Sequence, residues 1–149
     1  MKIAGVKKFE KLFRRAGGMD VDKNDIVRLN DFINRMIYRL LETGMKKAKF
    51  NGRDVLWYDD LPITQGLEAN IEEFKSYDEE LDLSEILETI AGLPPLPLAI
   101  GEGIEKELPD IAGGMTIALI KSMKVINPKV KNPQTEEWKR VTDIFETLL

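Results

Sequence analysis

The chain has 149 residues and a net charge of −4, and its 43% hydrophobic and 32% charged residues are typical of a globular protein. The absence of cysteine excludes disulfides and thiolate sites, and the absence of histidine excludes the usual general base and the commonest metal ligand. No apolar run approaches the roughly 20 residues that span a bilayer, and the N-terminus lacks the apolar stretch of a signal peptide. We therefore expect a cytoplasmic protein that is not an enzyme, with no cofactor, no metal and no membrane partner.

The charges are distributed unevenly along the chain. Residues 1–53 carry 14 Lys and Arg against 6 Asp and Glu, residues 54–110 carry 2 against 16, and residues 111–149 carry 6 against 4. The net charges of the three segments are therefore +8, −14 and +2. Such a division indicates a basic surface that faces a partner or two regions that neutralise each other, with ordinary solvated faces as the alternative.

The first half of the chain is predicted to contain a short helix followed by a long one. Residues 7–16 place apolar side chains on one side of a helix, and Gly17 ends it. Asp22 is a good N-cap for a second helix that runs to about residue 49. The apolar arc of this second helix is wider than one neighbour requires, so we expect it to be contacted from several sides.

The rest of the chain is predicted to repeat this plan after a junction. The first half should continue with an extended piece at 55–57, a short helix from Asp59 with Pro62 in its first turn, and a helix at 67–74. A junction is expected at 77–82. The second half should then contain a short helix at 83–90, a stiff loop at 93–97, a long segment at 98–125, a break at Asn127 and Pro128, and a final helix at 135–148.

The two halves align with an offset of 75 residues, which indicates an internal duplication. Ala16 and Gly17 fall on Ala91 and Gly92. The apolar positions of the long helices also coincide, and they pair Leu29, Ile33, Met36, Leu40 and Ala48 with Ile104, Leu108, Ile111, Met115 and Met123. A chance alignment of two helical stretches remains the alternative.

Two further pairs of residues carry predictions about packing. Trp57 and Trp138 follow the second loop of each half, and we predict that both are core anchors rather than stacking platforms for bases. Gly113 and Gly114 lie inside the second long segment. They permit either a close contact between helices or a kink shared with Pro109.

The order of short helix, loop, long helix, loop with a brief strand and short helix resembles the histone fold. The first half is similar to archaeal histones from Ala16 through the long helix to Leu61. In that family an Arg that follows a Gly in the second loop pairs with an Asp seven residues later. Here those positions hold Arg53 and Asp60, so the resemblance implies that they form a structural pair.

The resemblance implies an all-α protein built from two histone folds in tandem. They would occupy residues 1–76 and 77–149, pack as an intramolecular pseudodimer and form one compact domain. The second half is more divergent, with additional prolines. As a doublet in one chain, the protein is similar to a small bacterial and archaeal group of histone-like proteins of unknown function.

In archaeal histones, DNA phosphates meet the paired loops and the helix N-termini. The resemblance therefore gives the following candidate DNA contacts: Lys7, Lys8, Lys11, Arg14, Arg15, Lys23, Arg53, Lys129 and Lys131. Three positions where the family carries basic residues instead hold Asp20, Asp54 and Pro95. The acidic residues of 79–88 are expected to flank the same ridge as the basic first helix and to weaken its attraction for DNA.

Two functions from different classes follow from this pattern. The first is a non-enzymatic histone-like protein with weak, non-sequence-specific binding to double-stranded DNA. The second is a protein–protein interaction or scaffold module that pairs with another protein or with itself without DNA. The spacing of Asp20, Asp22 and Asn24 is that of a calcium loop, but Asp25 stands where such a loop needs Gly, which favours helix capping.

Overall fold

The computed structural model describes residues 6–81 and 99–149, and the predicted all-α class is confirmed. Its elements are α1 (Val6–Gly17), α2 (Lys23–Phe50), β1 (Val55–Leu56), a 3-10 helix (Tyr58–Asp60), α3 (Gln65–Leu81), β2 (Ala99–Ile100), α4 (Glu102–Ile126) and α5 (Thr135–Leu148). The predicted short helix at 83–90 and the loop at 93–97 lie outside the described residues. Within the residues described, no helix is long and apolar enough to cross a membrane.

The long helix α2 contacts several other elements of the fold. Asp22 is its N-cap, as predicted, and forms a capping box with Asp25, because each side chain accepts a hydrogen bond from the other residue's backbone N–H. Its buried side chains lie around most of the helix, and α1, α4, β1 and the 3-10 helix all contact it. The expectation that α2 is contacted from several sides is therefore confirmed.

The second long helix, α4, is continuous past Pro109 and through Gly113 and Gly114. It begins at Glu102 rather than at 98, because Ala99 and Ile100 extend as β2 and pair in parallel with Val55 and Leu56. A two-residue strand in each half thus joins the loop after α2 to the start of α4.

Two boundaries, one before α3 and one at its end, differ from the predictions. The predicted helix from Asp59 is a single 3-10 turn that ends at Asp60, so Pro62 lies in the loop that follows. The predicted junction at 77–82 is helical through Leu81, because α3 begins at Gln65 and runs for 17 residues. Local turn signals therefore gave the wrong extent for α3.

Gly113 and Gly114 allow α3 to approach α4 closely, which was one of the two predicted roles. A Cβ atom at Gly113 would overlap the ring of Phe74, which is fully buried. A Cβ atom at Gly114 would lie 2.9 Å from the backbone nitrogen of Ile71. Only glycine fits at these two positions without displacing α3.

Replacing Gly113 by alanine is expected to lower the free energy of unfolding by about 1–3 kcal/mol, because the added methyl group overpacks the buried contact with Phe74. Urea unfolding followed by circular dichroism measures the change. Gly103→Ala is the matched control on the same helix, since a Cβ there meets nothing within 4 Å. The control should be neutral or stabilising by up to about 1 kcal/mol. Equal stability of the two variants would contradict the close contact.

Candidate nucleic-acid interface

The first loop cluster consists of residues 18–23, between α1 and α2, and residues 127–131, which follow α4. The backbone N–H of Asp20 donates to the carbonyl of Lys131 at 2.6 Å, so loops far apart in sequence lie side by side. Three of the candidate DNA contacts, Lys23, Lys129 and Lys131, are exposed here. The geometry therefore brings together lysines from both ends of the chain.

Carboxylates in the same cluster offset part of this positive charge. Asp20 is exposed and forms an ion pair with Arg14, with Nε and Oδ1 3.4 Å apart. Asp22 is also exposed, but its side chain caps α2. A polar cleft of about 290 Å³ lies between these residues and the start of α5. The cluster is thus mixed in charge rather than uniformly basic.

The short helix α1 carries the other basic candidates. Lys7, Lys11 and Arg14 are exposed, and Lys8 is partly buried. The guanidinium of Arg15 lies over the ring of Tyr77 in α3, 4.7 Å from its centroid. The acidic residues of 79–88, which were predicted to offset the positive charge of α1, lie outside the side chains that the structure describes.

The second loop cluster consists of residues 51–57, which follow α2, and β2. Here the terminal nitrogens of Arg53 each donate to one oxygen of Asp60 at 2.6 Å, which is the structural pair that the resemblance implied. The Asp60 side chain is 1% exposed and also accepts from the backbone N–H of Trp57 at 2.8 Å. The hydrogen bonds from Arg53 hold the pKa of Asp60 at about 2, well below its ordinary value of 3.8.

The two tryptophans have different environments, which contradicts half of the prediction made for them. Trp138 is buried, as expected of a core anchor. Trp57 is 56% exposed, and the guanidinium of Arg53 lies over its ring, 3.9 Å from the centroid. The prediction for Trp57 is therefore wrong, because its side chain is exposed beside Arg53 instead of buried in the core.

A buried hydrogen bond joins the first half of the chain to the last helix. The indole Nε1 of Trp138 donates to Oδ1 of Asp25 at 2.8 Å. Burial raises the pKa of Asp25 above its ordinary value, although the hydrogen bonds from Asp22 and Trp138 act in the opposite direction. Residues 113 positions apart thus share one polar contact inside the core, which no pattern within either helix indicated.

In the part of the chain that the structure describes, no group of three or more carboxylates is placed to hold a metal ion. The predicted DNA contacts fall into three places instead, namely the two loop clusters and the outer face of α1. Arg53 differs from the others because both of its terminal nitrogens already bind Asp60.

The chain is similar to two proteins that are described as uncharacterised and to two proteins of known structure. Two uncharacterised proteins of Aquifex aeolicus (strain VF5) are 30% identical over 117 residues and 31% identical over 132 residues, and the alignments cover 68% and 76% of those proteins and 78% and 79% of this chain. A crystal structure of a protein from Thermus thermophilus matches with a TM-score of 0.87 and 42% identity, over 99% of this chain and 100% of that one.

A second crystal structure, of a protein from Aquifex aeolicus, matches with a TM-score of 0.87 and 26% identity, over 100% of this chain and 98% of that one. The sequence also matches a described domain family over residues 9–146, which is nearly its whole length. The chain therefore belongs to the family described as a domain of unknown function, DUF1931.

Proposed function

We propose that the protein is a non-enzymatic, histone-like protein whose two tandem histone folds form an intramolecular pseudodimer that binds duplex DNA weakly and without sequence preference. Two contacts support the pseudodimer. The hydrogen bond between Asp20 and Lys131 and the pairing of β1 with β2 join the loops that a head-to-tail pair of histone folds brings together. The pair of Arg53 with Asp60 supports the resemblance of the first half.

The observation that carries DNA binding is the meeting of Lys23, Lys129 and Lys131 in the first loop cluster. All three side chains are exposed, and the backbone bond from Asp20 to Lys131 fixes the two loops beside each other. Such a cluster attracts phosphates through charge alone, which gives binding without sequence preference. Asp20 and Asp22 in the same cluster make the binding weak.

Changing Lys23, Lys129 and Lys131 together to glutamine is expected to weaken binding to random duplex about tenfold at about 50 mM salt. Each lysine lost removes one phosphate contact, so the negative slope of log affinity against log salt should become shallower by up to about 2.7. Fluorescence anisotropy of a labelled duplex across a salt series measures both quantities.

The matched control changes three cations outside the cluster, Lys46, Lys139 and Arg140, to glutamine. Lys46 lies about 35 Å from Lys23 along α2, given the rise of an α-helix, and the other two are exposed on α5. The control should keep the wild-type slope to within about one unit. Absence of any binding at about 50 mM salt, or equal losses in both triple variants, would contradict the proposal.

The alternative is a pairing or scaffold module that works without DNA, and one observation favours it. Phe50 is 90% exposed and Val125 is 82% exposed, and the offset of 75 residues relates these two positions at the ends of α2 and α4. Exposed apolar side chains at equivalent positions fit contacts with another protein or another copy. Light scattering of nucleic-acid-free protein measures its molar mass in solution. A strictly monomeric chain would contradict pairing with a second copy.

A further inference from the structure

The exposed tryptophan of the second loop cluster has no role in the core. Trp57 follows β1 directly, and 56% of the residue is exposed, whereas the other tryptophan of the chain is buried. Large aromatic side chains usually bury most of their surface, because that burial is favourable. An exposed indole at this place therefore suggests a binding role.

Among the residues that the structure describes, Arg53 holds the indole in place. The guanidinium of Arg53 lies over the ring at 3.9 Å from its centroid, and 56% of Trp57 is nevertheless exposed. Arg53 is itself fixed by its two hydrogen bonds to Asp60. The backbone N–H of Trp57 donates to the same carboxylate, so both partners of the stack share one anchor.

The charges around this ring are nearly balanced. Asp54 and Asp59 are exposed beside it, and Lys47 donates to the backbone carbonyl of Asp59 at 3.1 Å. A phosphate would therefore find little net attraction here, in contrast to the first loop cluster. A flat aromatic ligand gains from stacking, which depends little on net charge.

We propose that the exposed indole of Trp57 stacks on an unpaired nucleobase, so that the protein prefers DNA with single-stranded stretches over intact duplex. The inference rests on the proposed function in one respect, namely that nucleic acid meets the loop clusters. A ring that is already fixed by Arg53 loses little conformational entropy on binding, which favours a stacked base. Stacking a base on an aromatic ring changes affinity about tenfold.

The test compares Trp57→Ala, Trp57→Phe and the control Tyr38→Ala, which removes another exposed aromatic residue. Anisotropy is measured with oligo(dT), with an intact duplex, and with the same duplex carrying a single-stranded gap. Trp57→Ala should bind oligo(dT) and gapped duplex about tenfold more weakly, with intact duplex and the salt slope unchanged. Trp57→Phe should retain most of the affinity, and Tyr38→Ala all of it.

Intrinsic fluorescence gives a second readout. Oligo(dT) should quench the wild type but not Trp57→Phe, since the remaining tryptophan is buried. Unchanged oligo(dT) affinity in Trp57→Ala, or absence of quenching in the wild type, overturns the inference. If duplex binding depends on the three lysines but oligo(dT) does not quench the wild-type fluorescence, the base-stacking inference is overturned and the proposed function stands. Quenching by oligo(dT) without duplex binding supports it and overturns the proposed function.

Discussion

Replacing Arg53 by alanine is expected to lower the free energy of unfolding by about 3 kcal/mol, because it leaves a buried carboxylate without its counter-ion. The Asp60 side chain is 1% exposed, and Arg53 supplies two of its hydrogen bonds, each at 2.6 Å. The backbone N–H of Trp57 remains as a donor, but one neutral donor does not balance a buried charge. Chemical denaturation at neutral pH measures the loss.

Two companion variants separate the charge from the geometry. Arg53→Lys keeps the charge but cannot donate to both oxygens of Asp60 in a planar fork. Its free energy of unfolding should therefore lie between those of Arg53→Ala and the wild type. Arg53→Ala combined with Asp60→Asn removes the uncompensated charge and should recover part of the stability. Wild-type stability in Arg53→Ala would show that the pair is not a structural determinant.

The pH dependence of the same variant provides an independent check. The pKa of Asp60 is about 2 in the folded chain and 3.8 ordinarily, so its contribution is fully present above pH 3.8 and is lost as the pH falls toward 2. That contribution amounts to roughly 2 kcal/mol. Between these pH values Arg53→Ala should therefore lose less stability than the wild type. Asp25, with its raised pKa, acts in the opposite sense in both proteins and cancels in the comparison.

The pair of Arg53 and Asp60 also shows what the sequence could predict. Both residues lie in one loop and turn, seven positions apart, and the resemblance to archaeal histones implied that they pair. The extent of α2 and its cap at Asp22 were likewise predictable, because apolar periodicity and capping act within one element. The α-helical class follows from the same local signals.

Contacts between elements were harder to predict. The glycines at 113 and 114 allowed either a close helix contact or a kink, and the position of Phe74 on α3 supports the close contact. The exposure of Trp57 and its contact with Arg53 are not indicated by any local sequence pattern. A hydrophobic pattern indicates which residues are apolar, but within a loop it does not predict which of them face the core.

The bond between Trp138 and Asp25 leads to the largest expected loss of stability. Replacing Trp138 by alanine should lower the free energy of unfolding by about 4 kcal/mol, because it opens a cavity where the residue is only 3% exposed. It also removes the donor at 2.8 Å from the Asp25 carboxylate. Thermal and urea unfolding measure the loss, and Lys139→Ala, an exposed neighbour on α5, should cost only a few tenths of a kcal/mol.

Trp138→Phe divides this loss into packing and hydrogen bonding. The phenyl ring fills most of the cavity but donates no hydrogen bond, so the variant should lose about 1–2 kcal/mol at neutral pH. Removing the donor raises the pKa of Asp25 further, since the bond from Trp138 lowers it in the native chain. Because the pKa of Asp25 is raised in the folded chain, protonation of Asp25 stabilises the folded state below pH 3.8. This stabilisation is lost as the pH rises through the pKa that Asp25 has in the folded chain. The deficit of Trp138→Phe should therefore shrink in acid, and a deficit independent of pH would assign the whole effect to packing.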